Sequence, residues 1–283
     1  MIIDIHSHMI NKNFDLSSYK HNFTTKMFFL RLQTKNYNEY YEKMSLSLEK
    51  SNVDKAVLCA IENVVTCSNN EQTAQICREN ENFLYGANLN PYDKDIEQAI
   101  EKAIQDKAVL VKILPSFQNI DLSSKRCIPF FELLKEHNIP LLVHTGIEHT
   151  IKGGNQDFNS PERLELAAKL GVKIIAAHCG TKLNFWEKDY FDIWCKLAHK
   201  YENFYGDLGA MILFYRRDYL KKLRKDNFLQ SKLLFATDFP CYPYINLNKK
   251  QDNIFNDWFF LFKELGFNDT IFTNNEKLIK AYY

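Results

Sequence analysis

The sequence has almost no net charge and no long apolar run. Its 36 Lys and Arg residues nearly balance its 35 Asp and Glu residues, giving a formal charge of +1 at pH 7 and no electrostatic footprint for nucleic acid. No apolar run reaches the roughly 18 residues that span a bilayer. Low-complexity stretches, charge blocks and internal repeats are also lacking. We therefore expect a small-molecule substrate as the partner, rather than nucleic acid or a membrane.

The seven cysteines are an odd number without regular spacing. This pattern indicates reduced thiols rather than a disulfide framework, and it favours a cytoplasmic protein. A cleaved secretory leader is not expected, because its removal would also remove His6 and His8. Cys179 follows a candidate site histidine, and we interpret it as a buried structural thiol that points away from the site.

Four apolar segments of the chain close on ionisable side chains. The first leads into His6 and His8, and the other three end at His144, His178 and Asp238. Strand side chains alternate between faces, so His6 and His8 should point the same way. Imidazole is the commonest metal ligand in proteins. An isolated His-x-His pair is more often structural, so the hypothesis of a metal site depends on the other three segments.

Strand and helix patterns alternate along the whole chain. Apolar runs at residues 55–61, 83–89, 108–114 and 204–208 bring the number of predicted strands to eight, and helical periodicity lies between them, at residues 40–50, 95–105, 128–137, 161–170, 190–200 and 256–265. Eight strand–helix units predict a single (β/α)8 TIM-like barrel domain over residues 1–283, since such barrels have about 250 residues. Residues 9–38 are too long for an ordinary loop, and we interpret them as a cap insertion after strand 1.

Five motifs in this order resemble the metal-dependent amidohydrolase superfamily. They are His6-Ser7-His8, Val111-Lys112-Ile113, His144-Thr145-Gly146, Ala177-His178-Cys179-Gly180 and Ala236-Thr237-Asp238-Phe239-Pro240. The chain is most similar to the amidohydrolase-related branch (amidohydrolase 2), which includes aminocarboxymuconate-semialdehyde decarboxylase-like proteins and lactone hydrolases. The resemblance implies a divalent metal surrounded by His6, His8, His144 and Asp238. It also implies that His178 acts on the substrate or on the metal-bound water.

The chemistry of these residue types points the same way. Histidines with one carboxylate and an open position suit Zn²⁺, although ligand type alone leaves Mn²⁺, Fe²⁺ or Co²⁺ open. Such a metal lowers the pKa of its bound water toward about 7 and polarises a carbonyl. We expect Asp238 to accept the water's proton as general base, and His178 to polarise the carbonyl or stabilise the oxyanion. A helix cap for Asp238 and a core position for His178 are the alternatives.

Three basic positions are candidates for substrate binding. Lys112 ends a near-continuous apolar strand that needs no lysine for folding. It could be carboxylated between two metals, contact the substrate or extend to solvent, and we expect one metal and an uncarboxylated, substrate-binding Lys112. Arg31 could bind a substrate carboxylate, unless residues 9–38 form a surface insertion or a homo-oligomer contact. Arg216 and Arg217 could bind an anion, but we interpret them as a solvated helix start.

Three functions are compatible with these residues. The first is a metal-dependent hydrolase, in which metal-activated water attacks an amide, lactone or ester carbonyl. The second is a non-oxidative metal-dependent decarboxylase on the same scaffold, because the fold does not choose between the two reactions. The third is a catalytically inactive barrel that acts as a binding protein. The complete ligand set favours an enzyme, and we predict the hydrolase.

Overall fold

Eight parallel strands form one sheet in which each strand pairs with the next along the chain. The computed structural model describes residues 1–14, 34–64, 66–149, 151, 154–211, 216–242 and 253–279. The sheet runs in the order β1 to β8, with every neighbouring pair parallel. The strands are β1 (Ile3–Ser7), β2 (Lys55–Cys59), β3 (Phe83–Asn88), β4 (Ala108–Ile113), β5 (Leu141–His144), β6 (Ile174–Ala177), β7 (Phe204–Asp207) and β8 (Leu233–Leu234).

Helices follow the strands and complete the (β/α)8 TIM barrel that the sequence predicts. They are α1 (Tyr37–Glu49), α2 (Asn70–Glu79), α3 (Ile96–Gln105), α4 (Pro115–Gln118), α5 (Ile128–Glu136), α6 (Glu165–Lys169), α7 (Phe191–Lys200), α8 (Arg216–Leu223), α9 (Asn227–Ser231), α10 (Ile254–Glu264) and α11 (Thr270–Ile279). Several begin at a side-chain cap, in which Asn36, Asn69, Asp226 or Asn253 accepts a backbone N–H from the first turn. The helix expected at residues 161–170 begins instead as a 3-10 helix, Pro161–Leu164, and continues as α6.

The strands separate two apolar layers. Val57 and Cys59 of β2 pack inside the barrel with Leu142 of β5, whereas Ala56 and Leu58 contact the layer under the helices. This alternation follows from the period of two residues along a strand. It also sets the direction of polar residues at the strand ends. Lys112 follows the inward Leu110, and His144 follows the inward Leu142, each by two positions.

Side chains help to close the barrel between β8 and β1. The Ile5 N–H donates to the Phe235 carbonyl at 3.2 Å. The buried Asp4 carboxylate accepts from the Thr237 N–H at 3.1 Å and from its hydroxyl at 2.6 Å. From the other end of the chain, Asn275 donates to the carbonyls of Ile3 and Phe235, both at 2.6 Å. The first and last strands are therefore joined by polar side chains as well as by the backbone.

The predicted cap insertion lies only partly within the described residues. Residues 15–33 lie outside the described residues, and with them the predicted substrate contact Arg31. Met9, Ile10 and Phe14, at the start of the insertion, are buried. Among the helices of the described part of the chain, none is long and apolar enough to cross a membrane.

Candidate metal centre

A pocket opens at the C-terminal ends of the strands, the face that carries the active sites of TIM-barrel enzymes. Its volume is about 180 Å³. The acidic, basic and imidazole side chains that line it come from the ends of different strands and from the segments after them: His6, His8, Lys112, His144, Glu148, His149, His178, Arg216 and Asp238. All of the predicted site residues that the structure describes therefore lie at this one pocket.

Three of these side chains converge on a point. His6 Nε2 lies 3.1 Å from His8 Nε2, and Asp238 Oδ1 lies 3.5 Å from the first and 3.4 Å from the second. A tetrahedral metal with bonds of 2.0–2.1 Å separates its ligand atoms by roughly 3.3 Å. These three residues form the one group of three or more His, Cys, Asp or Glu side chains in the described residues that could hold a metal ion. The spacing fits a metal with one position left open.

Hydrogen bonds fix the orientation of the pocket histidines. His6 Nδ1 pairs with Asp207 at 2.9 Å, and the Nδ1 atoms of His8 and His178 pair with the carbonyls of Cys59 and Gly209, at 3.1 and 2.7 Å. Each acceptor needs a proton on Nδ1, so the Nε2 lone pair of each ring is directed into the pocket. Metal-binding histidines are usually held in this way by carboxylates or backbone carbonyls.

Asp207 is a supporting residue that the sequence analysis missed. Besides pairing with His6, its fully buried carboxylate accepts the backbone N–H groups of His178 and Gly209, at 2.9 and 3.0 Å. Burial opposes ionisation, but His6 and His178 hold the pKa of Asp207 below its ordinary value. A sequence signal existed, because Asp207 ends the seventh apolar strand in the way that Asp238 follows the eighth.

His178 and Asp238 both occupy strained backbone conformations. Their φ angles are +61° and +56°, in the left-handed region that residues other than glycine rarely adopt. Such strain clusters at functional sites. Although burial opposes ionisation, the imidazoles of His6, His8 and His178 hold the pKa of Asp238 well below its usual range. Asp238 is therefore an ionised carboxylate, suited to binding a cation.

His178 carries its proton on the side facing away from the pocket. Because Nδ1–H donates to Gly209, Nε2 is a hydrogen-bond acceptor in the neutral ring. Burial lowers the pKa of His178 well below 6.5, so the ring is neutral near pH 7. The predicted role in polarising a carbonyl needs a proton on Nε2. This geometry instead suits accepting a proton or a hydrogen bond from a water or the substrate.

His144 lies in the pocket but outside the group formed by His6, His8 and Asp238. Its Nε2 is buried without a hydrogen-bond partner and lies 3.4 Å from the Glu148 carboxylate. Burial lowers the pKa of His144 to about 4. An orphaned, neutral nitrogen of this kind is compatible with a ligand, and the metal-binding role of His144 stays a prediction.

Lys112 comes closer to the candidate metal ligands than expected. Its side chain is 1% exposed, and Nζ lies 3.0 Å from His6 Nε2. Burial lowers the pKa of Lys112 from its ordinary value of 10.5. A protonated amine at this distance and a metal ion would compete for the same His6 lone pair, which makes Lys112 part of the centre rather than a distant binding residue.

Of two further residues, Cys179 lies where the sequence predicts and Arg216 does not. Cys179 is buried, and its thiol donates to the Asp207 carbonyl at 3.3 Å, which fits a structural role. Arg216 was interpreted as the start of a solvated helix. It is instead buried and lines the pocket, whereas its neighbour Arg217 is exposed. A double Arg at the start of a helix does not reveal from sequence which of the two turns inward.

We define the floor of the pocket as His6, His8, His178 and Asp238, and its rim as the segments that carry Ile147, Ile151 and Leu183. A side-chain contact joins the rim segments, since His149 Nε2 lies 2.7 Å from a carboxylate oxygen of Glu187. Glu187 also accepts the Leu183 N–H at 2.7 Å. Phe185 and Trp186, which stand between Leu183 and Glu187 in the sequence, are 66% and 69% exposed.

Fold and site together define a TIM-barrel protein with its polar residues at the C-terminal strand ends. The family model described as Amidohydrolase (Amidohydro_2) matches residues 33–257, most of the chain. The chain therefore belongs to the amidohydrolase family, as its motifs predict. No curated protein matches it in sequence.

Solved structures share the fold over nearly the whole chain at low identity. An uncharacterized TIM-barrel protein from Bordetella bronchiseptica has a TM-score of 0.74 at 15% identity, covering 99% of this chain and 98% of its own. A putative 2-pyrone-4,6-dicarboxylic acid hydrolase from Pseudomonas putida has 0.65 at 12%, covering 100% and 98%. The 5-carboxyvanillate decarboxylase of Novosphingobium aromaticivorans, with bound manganese, has 0.62 at 12%, covering 99% and 97%. The fold thus accommodates both hydrolase and decarboxylase chemistry.

Proposed function

We propose that the protein is a metal-dependent hydrolase that opens an amide, lactone or ester bond in a small substrate. The observation that carries the proposal is the convergence of His6 Nε2, His8 Nε2 and Asp238 Oδ1 at 3.1–3.5 Å from one another. Three protein ligands and one open position are the arrangement of catalytic zinc sites. We propose one divalent ion per chain, with zinc as the first candidate.

The residues around this centre have different proposed roles. His6, His8 and Asp238 would hold the metal, with His144 as a further predicted ligand. When bound, the ion would supply an activated water and polarise the substrate carbonyl. Asp238 is ionised and can accept a proton as general base. The Nε2 of His178, 3.8 Å from Asp238 Oδ2, can accept a hydrogen bond on the same side.

Elemental analysis of the purified protein tests the centre directly. We expect about one transition metal ion per chain, and loss of most of it in the double variant His6→Asn, His8→Asn. His199→Asn is the matched control, because His199 is exposed on α7 and stacks on Phe228 away from the pocket. Less than about a tenth of an equivalent after growth with added zinc would contradict the proposal. The loaded protein is then assayed against amides, lactones and aromatic carboxylates.

A decarboxylase is the second candidate. It is supported by two buried basic side chains in the pocket, Lys112 and Arg216, because a carboxylate that leaves as CO₂ must first be held as an anion. The same panel separates the two reactions. Release of CO₂ from an aromatic carboxylate, without hydrolysis of any amide or lactone, would select the decarboxylase.

A further inference from the structure

Gly209 is a buried residue beneath the floor of the pocket, two positions after the end of β7. Backbone hydrogen bonds fix the chain on both sides of it. The Leu208 N–H donates to the Leu234 carbonyl at 3.1 Å, and the Ala210 N–H donates to the Thr237 carbonyl at 3.3 Å. Gly209 is therefore held against the end of β8 and cannot shift without breaking these bonds.

Both backbone polar groups of Gly209 bond to residues that support or form the floor. Its N–H donates to Asp207 Oδ1 at 3.0 Å, and its carbonyl accepts the Nδ1–H of His178 at 2.7 Å. The second bond fixes the ring of His178 with Nε2 directed into the pocket. Any residue could make these two bonds with its backbone, so they do not explain why a glycine stands here.

The space that a side chain of residue 209 would occupy is filled by Asp238. A Cβ atom on Gly209 would lie 3.0 Å from the Asp238 Cβ and 3.2 Å from Asp207 Oδ1. Two carbon atoms in van der Waals contact are about 3.5–4.0 Å apart. The φ angle of Gly209 lies outside the left-handed region, so its backbone conformation is open to other residues. The close approach of Asp238 is what requires a glycine.

Asp238 has little freedom to move away from an added methyl group. Its N–H donates to the His6 carbonyl at 2.8 Å, and its carboxylate Oδ1 lies 3.5 Å from His6 Nε2 and 3.4 Å from His8 Nε2. Ligand distances in metal sites are met to within about 0.2 Å. Relief of the crowding needs a shift of a few tenths of an ångström, which is enough to spoil the arrangement of the three candidate ligand atoms.

We propose that Gly209 is a positioning residue that sets Asp238 and His178 in place because it has no side chain. The proposal rests on the proposed function, since the exact position of Asp238 matters through the metal that it would hold. The end of β7 then supports the whole floor from below. Asp207 holds the ring of His6, and Gly209 holds the ring of His178 and admits Asp238.

The variant Gly209→Ala tests the proposal through metal binding. We expect it to bind zinc at least about tenfold more weakly in competition with a chelator, the scale of a lost support around a metal site. The visible spectrum of the cobalt-loaded variant should also differ from that of the native protein, because the ligand geometry changes. Native zinc affinity together with a native cobalt spectrum would overturn the proposal.

Gly86→Ala in β3 is the matched control. An added Cβ there would also come within 3.0 Å of a neighbour, but that neighbour is the end of the Leu110 side chain, which can rotate away. The φ angle of Gly86 is likewise outside the left-handed region. This variant should keep the zinc affinity and the cobalt spectrum of the native protein. An equal loss of zinc affinity in both variants would assign the effect to general crowding of the barrel and overturn the proposal.

Urea unfolding of metal-free protein separates this proposal from the metal centre. Asp238→Gly removes the crowded Cβ and suits the φ angle of +56°. If the methyl group of Gly209→Ala presses on Asp238, its effect on the unfolding equilibrium constant should be about fivefold or more smaller in the Asp238→Gly background, as for residues in contact. The same effect in both backgrounds would overturn the proposal.

This cycle of four proteins needs no metal. A native protein that binds no metal would contradict the proposed function, and the cycle would still decide whether Gly209 positions Asp238. If Gly209→Ala alone fails to fold, the double variant Gly209→Ala, Asp238→Gly decides. A folded double variant would support the proposal, and an unfolded one would overturn it.

Discussion

The floor and the rim of the pocket are built in different ways. On the floor, the imidazoles of His6, His8 and His178 are each fixed through Nδ1, the ring nitrogen that faces away from the pocket. Beneath them, the carboxylate of Asp207 holds both the ring of His6 and the backbone of His178. The rim is made of partly exposed apolar side chains, with the pair between His149 and Glu187 joining two loops. Strand ends thus position the chemistry, whereas loops shape what can approach it, which is the usual division of labour in barrel enzymes.

The largest effect is expected on the floor, at Asp238. Asp238→Asn keeps the shape of the side chain but removes the charge that can bind a cation and accept a proton. Turnover of a substrate from the panel should fall by about 10²–10⁴-fold, with an unchanged circular dichroism spectrum. Turnover close to that of the native protein would show that Asp238 is not the base.

A smaller loss is expected from the support beneath the floor. Asp207→Asn removes the carboxylate that orients His6, and the loss of such a partner weakens metal binding by about 10–100-fold. Competition with a chelator measures this affinity. Asp218→Asn, on the exposed side of α8, should leave it unchanged. Equal affinities in both variants would mean that the floor does not depend on Asp207.

A variant of Lys112 tests whether this side chain, which lies beside His6, contributes to metal binding or to substrate binding. We expect Lys112→Ala to keep one metal and to weaken substrate binding by about tenfold or more, the cost of a lost charged hydrogen bond. Elemental analysis and KM measure the two effects. Two metals per chain, extra mass on Lys112 in the native protein, and rescue of the alanine variant by short carboxylic acids would instead establish a carboxylated lysine.

Variants of the rim should change preference rather than chemistry. Leu183→Ala enlarges the pocket, and we expect the ratio of kcat/KM between a larger and a smaller substrate to shift by about tenfold, the scale of one methylene group in an apolar pocket. Metal content should not change. Leu46→Ala, on the exposed side of α1, is the control. A loss of metal in Leu183→Ala would show that the rim also contributes to metal binding, contrary to this prediction.

The smallest effect is expected outside the pocket. Hydrogen bonds from Lys200 and Tyr201 lower the pKa of Glu165 to about 2, from 4.5. Because the pKa is lower in the folded state, this contribution to stability is present above about pH 4.5 and is lost as the pH falls toward 2. The pair faces solvent, so Glu165→Gln should cost less than about 1 kcal/mol at pH 7. Urea unfolding should show a smaller difference at pH 3, and an equal or larger one would contradict the assignment.

The sequence predicted the barrel well, because buried parallel strands form continuous apolar runs that can be recognised without a structure. Helix α2 was not among the helical segments named from the sequence, since it buries polar residues such as Gln72 and Thr73. The alternation rule also has a limit in β1. The rule places His6 on the face of β1 away from Ile3 and Ile5, which pack inside the barrel. His6 nevertheless lines the pocket. The register of β1 against β2 shifts between Asp4 and Ser7, where the simple alternation is interrupted.

The candidate site could be predicted only in part. His6, His8 and Asp238 were found because ligand-type side chains at strand ends are rare without a function. The inward turn of Arg216 depends on how α8 packs, and the placement of Lys112 at 3.0 Å from His6 depends on the curvature of the barrel. Local patterns in the sequence carry neither property.

The closure between β8 and β1 bears on how the protein is made. His6 and Asp238 belong to opposite ends of the chain, and the Asp238 N–H donates to the His6 carbonyl at 2.8 Å. Contacts between such distant segments carry the largest loop-closure cost and form late in folding. A ribosome must therefore synthesise nearly the whole chain before the candidate metal centre can exist, and every shorter nascent form lacks it.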